Sequence, residues 1–266
     1  MKKTLTFLFV LLLTAALCLP VFAEQEDRML TLVNPWSTIP AKWKVDLVHI
    51  GSGHRVDRIC YDDLMAMMAA CRAEGLSPVV RSSYRTQEQQ EQLYANKVRQ
   101  WKATGLSDEE ARKTAATIVA PPGTSEHQMG WAVDIVDANY RTLDEKQAET
   151  AAQQWLMVHS WEYGFILRYP VDKSEVTGII YEPWHYRYVG RDNAKAIHES
   201  GLCLEEYLEM LAQQQALQER QQTVLEQVKA ALESLLTDTA RDVFRLMTRR
   251  DGGLNTVLED VDVMKP

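Results

Sequence analysis

The stretch WAVDIV, residues 131–136, constrains this chain more than any other. Its β-branched content reads as a short strand. Inside it, Asp134 stands between Val133 and Ile135. A carboxylate in such a strand is costly to bury unless it is paired or bound to a metal. His127 lies upstream in the same segment, SEHQMGWAVDI (125–135), and Gly130 between the two lets the backbone turn so that both side chains converge. A salt bridge from Arg85 or Arg187 is the alternative partner for Asp134.

A second segment, EPWH, sets Glu182 and His185 around Pro183, and residues 186–189 continue as a strand. Proline rigidifies the bend. If this strand lies beside 131–136, His185 joins His127 and Asp134. Two imidazoles and one carboxylate leave the fourth position of a tetrahedral zinc open for water, which is the catalytic arrangement. Glu182, near the metal but not bound to it, would then be the base that takes the water's proton. A third segment, RSSYRTQEQQ (81–90), places Arg85 between a strand and a helix. A fixed cation near a zinc can stabilise a developing oxyanion, whereas a plain surface arginine there would oppose the helix dipole. Tyr84 and Trp184 read as core or walls of the site. His49, His54 and His159 read as structural or solvent-facing, and His198 as dipole or cap chemistry.

The remaining chain supplies the frame. Lys2 and Lys3 precede an apolar run from Leu5 to Leu19, followed by Pro20 and small Ala23. This is the pattern of a secretory signal peptide over 1–23, and membrane attachment is expected only if that leader stays uncleaved. Removing Lys2 and Lys3 with the leader takes the formal net charge from −8 to −10. That balance argues against nucleic acid as a partner. Cys60, Cys71 and Cys203 form no CxxC spacing; Cys203 could pair with Cys60 or Cys71, and the favoured reading is that all three are small buried hydrophobes.

Residues 24–58 read as an extended lead-in. Helices are expected over 60–75, 86–105, 107–120 and 144–164, with strands at 77–84, 131–136 and 165–170. Two extended pieces flank Pro183, and a short helix ends on Gly201. Without regular βαβ alternation, the fold class is α+β, with a small, mostly antiparallel sheet and flanking helices. After about residue 204 the chain is rich in Gln, Glu and Leu, and an apolar stripe from Leu208 to Leu235 marks a long amphipathic helix. That helix could pack on its own domain, self-associate or meet a partner. The last residues, from Thr248, are expected to fray.

SEHQMGWAVDI, EPWHYRYVG and RSSYRTQEQQ, in this order, resemble the D-alanyl-D-alanine carboxypeptidase family of zinc peptidases related to VanY. The resemblance implies the small α+β fold shared with the hedgehog signalling domain. It covers roughly residues 30–208 and leaves 209–266 as a helical extension. It implies that His127, Asp134 and His185 bind Zn2+, that Glu182 is the catalytic base, and that Arg85 steadies the scissile carbonyl. It also implies that Ser125 contacts substrate and, as a weaker match, Gln90. The expected activity is removal of the terminal D-Ala from peptidoglycan stem peptides. Cleavage of an L–D bond or of a cross-link, and a non-catalytic zinc-bearing binding module, are the alternatives.

Overall fold

The computed structural model describes residues 28–261, so the leader read at 1–23 lies outside the described residues. The chain forms two compact units that divide after Glu209.

The first unit opens with a hairpin, β1 (Leu47–Gly51) and β2 (His54–Asp57), paired antiparallel. Its turn holds Gly51, Ser52 and Gly53 all at positive φ. This corrects the extended lead-in expected there. The strands are mostly half-buried and show no clean alternation, so the turn was the only strong signal.

Helix α1 (Arg58–Ala73) starts where the Asp57 side chain accepts from the Ile59 amide. It buries Cys60, Leu64, Met67, Met68 and Cys71 on one face. Strand β3 (Pro78–Ser82) leads into α2 (Gln87–Lys102) and then α3 (Asp108–Ala116). Both helices begin with a reciprocal capping box, Thr86 with Gln89 and Ser107 with Glu110. Helix α3 stops at Ala116 rather than running to 120. Pro121 and Pro122 follow, and the residue before a proline is pushed out of the helical region.

Strand β4 (Ala132–Asp137) is buried along its whole length. The helix expected over 144–164 is broken into a 3₁₀ turn (Glu145–Glu149), α4 (Ala151–His159) and a second 3₁₀ turn (Ser160–Tyr163). Thr150 makes the break: its backbone is extended and its hydroxyl caps the Gln153 amide. Gly164, at φ 78°, ends this segment, where a Cβ would come within 2.7 Å of the Tyr188 ring. Strand β5 (Phe165–Leu167), a single turn α5 (Ser174–Thr177), strand β6 (His185–Tyr188) and α6 (Arg191–Ser200) complete the unit.

The main sheet has the order β3–β4–β6–β5 and every pairing is antiparallel. Residues 178–184, expected partly extended, are an irregular segment before β6. The sheet, α1 and α4 share one core that includes Leu64, Met67, Trp131, Ile135, Leu156, Phe165 and Tyr186. Cys60, Cys71 and Cys203 are buried in it or near it and carry free thiols.

Helix α7 (Leu204–Val261) supplies the described residues of the second unit, and its backbone is helical from 248 to 261, within the stretch expected to fray. Along it Leu217, Val224, Leu225, Val228, Leu232, Leu235 and Leu236 are exposed. No helix among the described residues is long and apolar enough to cross a membrane.

Candidate metal and active site

The sheet register assembles the site. Asp134 on β4 lies directly opposite His185 on β6 and beside Ser82 on β3. Side chains of directly opposed residues stand on one face of a sheet, close enough to touch. His127 comes from a single 3₁₀ turn, Glu126–Met129, that ends on Gly130 at φ 75°. A Cβ at Gly130 would sit 2.7 Å from Val45 Cγ1 and 3.1 Å from the Asp57 amide nitrogen. Only glycine therefore lets the turn close against the β1–β2 hairpin and deliver His127 beside β4.

His127 Nε2 lies 3.2 Å from Asp134 Oδ1, and His185 Nδ1 lies 3.1 Å from the same oxygen. The two imidazole rings are 4.9 Å apart and nearly perpendicular. The ligating atoms of His127, Asp134 and His185 all fall within 4.8 Å of one another, and all three residues are buried.

Two features fit this cluster to a metal ion. The Nδ1 of His127 lies 2.8 Å from the Ser83 carbonyl oxygen, which fixes Nδ1–H as the donor and leaves a lone pair on Nε2. That Nε2 is buried and has no hydrogen-bond partner. The second feature is Glu126, 1% exposed, whose Oε2 lies 3.3 Å from His185 Nε2. A carboxylate on the far nitrogen of an imidazole aims the near nitrogen at a metal. An N, N, O set from two imidazoles and a carboxylate suits zinc.

In the metal-free protein the surroundings set the two imidazoles apart. Burial lowers the His127 imidazole, with Arg85 adding to the effect, to about 4, so it is neutral and available as a ligand. Burial also acts to lower His185, but its hydrogen bonds to Asp134 and Glu126 reverse this and raise it to about 9. Asp134 is pushed up by burial, yet the hydrogen bond from protonated His185 helps hold it well below the usual carboxylate range. Glu182 is pushed up to about 8 by burial, with Asp134 adding to the rise. Its Oε2 lies 3.7 Å from His185 Nδ1.

Arg85 is pinned from three sides. Its Nη2 donates to Asp134 Oδ2 at 3.1 Å, its Nη1 to Gln90 Oε1 at 3.0 Å and its Nε to Ser82 Oγ at 3.0 Å. The salt bridge considered from the sequence is therefore present from Arg85, and it coexists with the two imidazoles. Arg187 takes no part in it. Its Nη1 donates to Glu126 Oε1 at 2.9 Å, alongside Arg168 Nε at 2.7 Å. Arg168 is completed by Glu205, its Nη1 and Nη2 donating to the two carboxylate oxygens at 2.8 and 2.6 Å. This largely buried network behind His185 was missed from sequence. Its signal was present in HYRY, where a strand arginine demands a buried carboxylate.

Arg85, Ser125, His127, Asp134, Glu182, Trp184 and His185 line one pocket, together with Lys97 and Tyr169, which the sequence reading did not single out. Two expected contacts lie elsewhere. Gln90 is fully buried and sits behind Arg85, with its amide nitrogen donating to the Ala120 carbonyl at 2.7 Å. It positions Arg85 and is not among the residues lining the pocket. Tyr84 lines the neighbouring groove with Arg81 and Gln89, and Arg55 lies over its ring.

Comparison with known proteins agrees with this geometry. The family model for VanY, D-alanyl-D-alanine carboxypeptidase, matches residues 53–191. The D-alanyl-D-alanine carboxypeptidase of Enterococcus faecalis (strain ATCC 700802 / V583) is 45% identical over 186 residues, 70% of this chain and 67% of the relative. A solved structure of a variant of the vancomycin-resistance D,D-pentapeptidase VanY in complex with Zn(II) is 44% identical. It has a TM-score of 0.62 and covers 68% of this chain and 98% of that one. The LD-carboxypeptidase LdcB is 34% identical with a TM-score of 0.60, covering 69% of this chain and 87% of that one. Fold, site and sequence coincide, and the chain belongs to the VanY family of D-alanyl-D-alanine carboxypeptidases.

Proposed function

We propose that this protein is an exported zinc carboxypeptidase that removes the terminal D-Ala from peptidoglycan stem peptides. Residues 30–208 would form the enzyme and 209–266 a helical extension open to self-association. The observation that carries the reading is the convergence of His127, Asp134 and His185 on one point in the pocket that also receives Glu182 and Arg85. The charged leader pattern at Lys2–Ala23 supports export.

His127 Nε2, Asp134 Oδ1 and His185 Nδ1 would hold the zinc. Bound zinc supplies a Lewis acid that polarises the scissile carbonyl and acidifies water. Glu182 takes a proton from the attacking water as its oxygen adds to the carbonyl carbon. As the C–N bond breaks, Glu182 returns that proton to the leaving nitrogen, so free D-Ala departs as the amine. Arg85, fixed by Asp134, Gln90 and Ser82, keeps N–H donors beyond the three already engaged and offers them to the oxyanion. Leu93, Ile118, Val119 and Ile179 give the pocket an apolar wall that suits the methyl groups of two alanines.

The likeness to an LD-carboxypeptidase makes the neighbouring bond the second reading. Mass spectrometry of a pentapeptide stem incubated with the zinc-loaded protein separates the two. The expected product is the tetrapeptide, one alanine lighter. An intact pentapeptide, with cleavage only of a supplied tetrapeptide, would transfer the assignment to the L–D bond.

A further inference from the structure

A carboxypeptidase must distinguish a chain end from an internal bond, and the free carboxylate is the feature that does so. Two permanent cations line the pocket, Arg85 and Lys97. Arg85 is already held by Asp134, Gln90 and Ser82. Lys97 is different. It is half-buried on α2, and among the described residues no hydrogen bond or ion pair occupies its ammonium. The pocket lining holds two carboxylates, Asp134 and Glu182, and neither makes an ion pair with Lys97; the rest of the lining includes apolar Leu93, Ile118, Val119 and Leu143. Its charge nonetheless reaches the Glu182 carboxyl. A partly desolvated ammonium without a partner is costly, and a ligand carboxylate removes that cost.

We propose that Lys97 is the specificity-determining residue that binds the terminal carboxylate of the substrate. The assignment rests on the carboxypeptidase reading of the site. It makes the protein an exopeptidase by charge, because an amide or a further residue at the chain end would leave Lys97 unpaired.

The test compares two peptides ending in D-Ala–D-Ala, one with a free carboxylate and one with a C-terminal amide, on the zinc-loaded full chain. The wild type is expected to prefer the free acid by roughly ten- to a hundredfold in kcat/KM, the range of a lost charged hydrogen bond. Lys97→Met should lose that preference, with the loss on the free acid carried mainly by KM rather than by kcat. Lys97→Arg should recover most of the preference. Unchanged thermal unfolding would confirm that both variants are folded. A wild type that cleaves acid and amide equally, or a Lys97→Met protein that keeps the wild-type preference, overturns the role of Lys97 and leaves the enzyme assignment standing. A wild type that releases D-Ala from neither peptide overturns both.

Discussion

Glu182→Gln is expected to lower kcat by about a thousandfold, within the range for loss of a general base, while the protein still binds zinc. The reason is position. Glu182 is 7% exposed and lines the pocket, and its Oε2 is 3.7 Å from His185 Nδ1. Burial pushes its carboxyl up to about 8, so in the metal-free protein it holds a proton at neutral pH. A dication held by His127, Asp134 and His185 favours the ionised form and moves that value back down. The acid limb of the kcat/KM profile is therefore expected below pH 8 in the loaded enzyme. In Glu182→Gln that limb should vanish along with most of the rate. A variant with normal turnover would remove Glu182 from the chemistry. A variant that is inactive because it no longer binds zinc would make Glu182 a ligand instead.

Glu126→Gln is expected to carry the second large effect, and it should act twice. The Glu126 carboxyl is pushed up by burial, but Arg168 and Arg187 more than reverse this and hold it below the usual range. Removing one partner of a buried ion pair leaves an uncompensated charge and typically costs about 3–5 kcal/mol. Arg168 keeps Glu205, and Arg187 keeps the Met29 and Thr31 carbonyls, so the lower end, roughly 3 kcal/mol, is expected in denaturant unfolding. The same change takes the carboxylate off His185 Nε2, and zinc affinity should fall by about 10- to 100-fold. Equilibrium zinc titration of the folded variant separates the two effects. Loss of stability with wild-type zinc affinity would mean that Glu126 serves the fold and leaves His185 unaimed.

How the sequence encodes this protein differs between its parts. Asp134 was legible because a carboxylate among β-branched residues has few permitted environments, and the β4–β6 register then sets His185 opposite it. His127 was legible because Gly130 marks a turn that only glycine can make against Val45 and Asp57. Glu126 stands next to His127, yet its need arises from Arg168 and Arg187, which no local pattern connects to it. Gln90 followed Arg85 at a spacing that suggested a ligand contact, but one helical turn along α2 places its amide behind the guanidinium. The hairpin at 47–57 escaped because its strands lie half-exposed on the surface. The break at Thr150 escaped because a good N-cap inside an apolar helical pattern looks like one more helical residue.

The central claim is that one zinc ion, held by His127, Asp134 and His185, makes this pocket a peptidase. The most direct measurement strips the purified chain of metal, returns zinc in fractions of an equivalent and follows D-Ala release from a pentapeptide stem. Activity is expected to be absent without metal, to rise linearly and to level off at one equivalent, while Asp134→Ala neither holds zinc tightly nor regains turnover. Full activity in the stripped protein, or recovery of Asp134→Ala at one equivalent, would contradict the account.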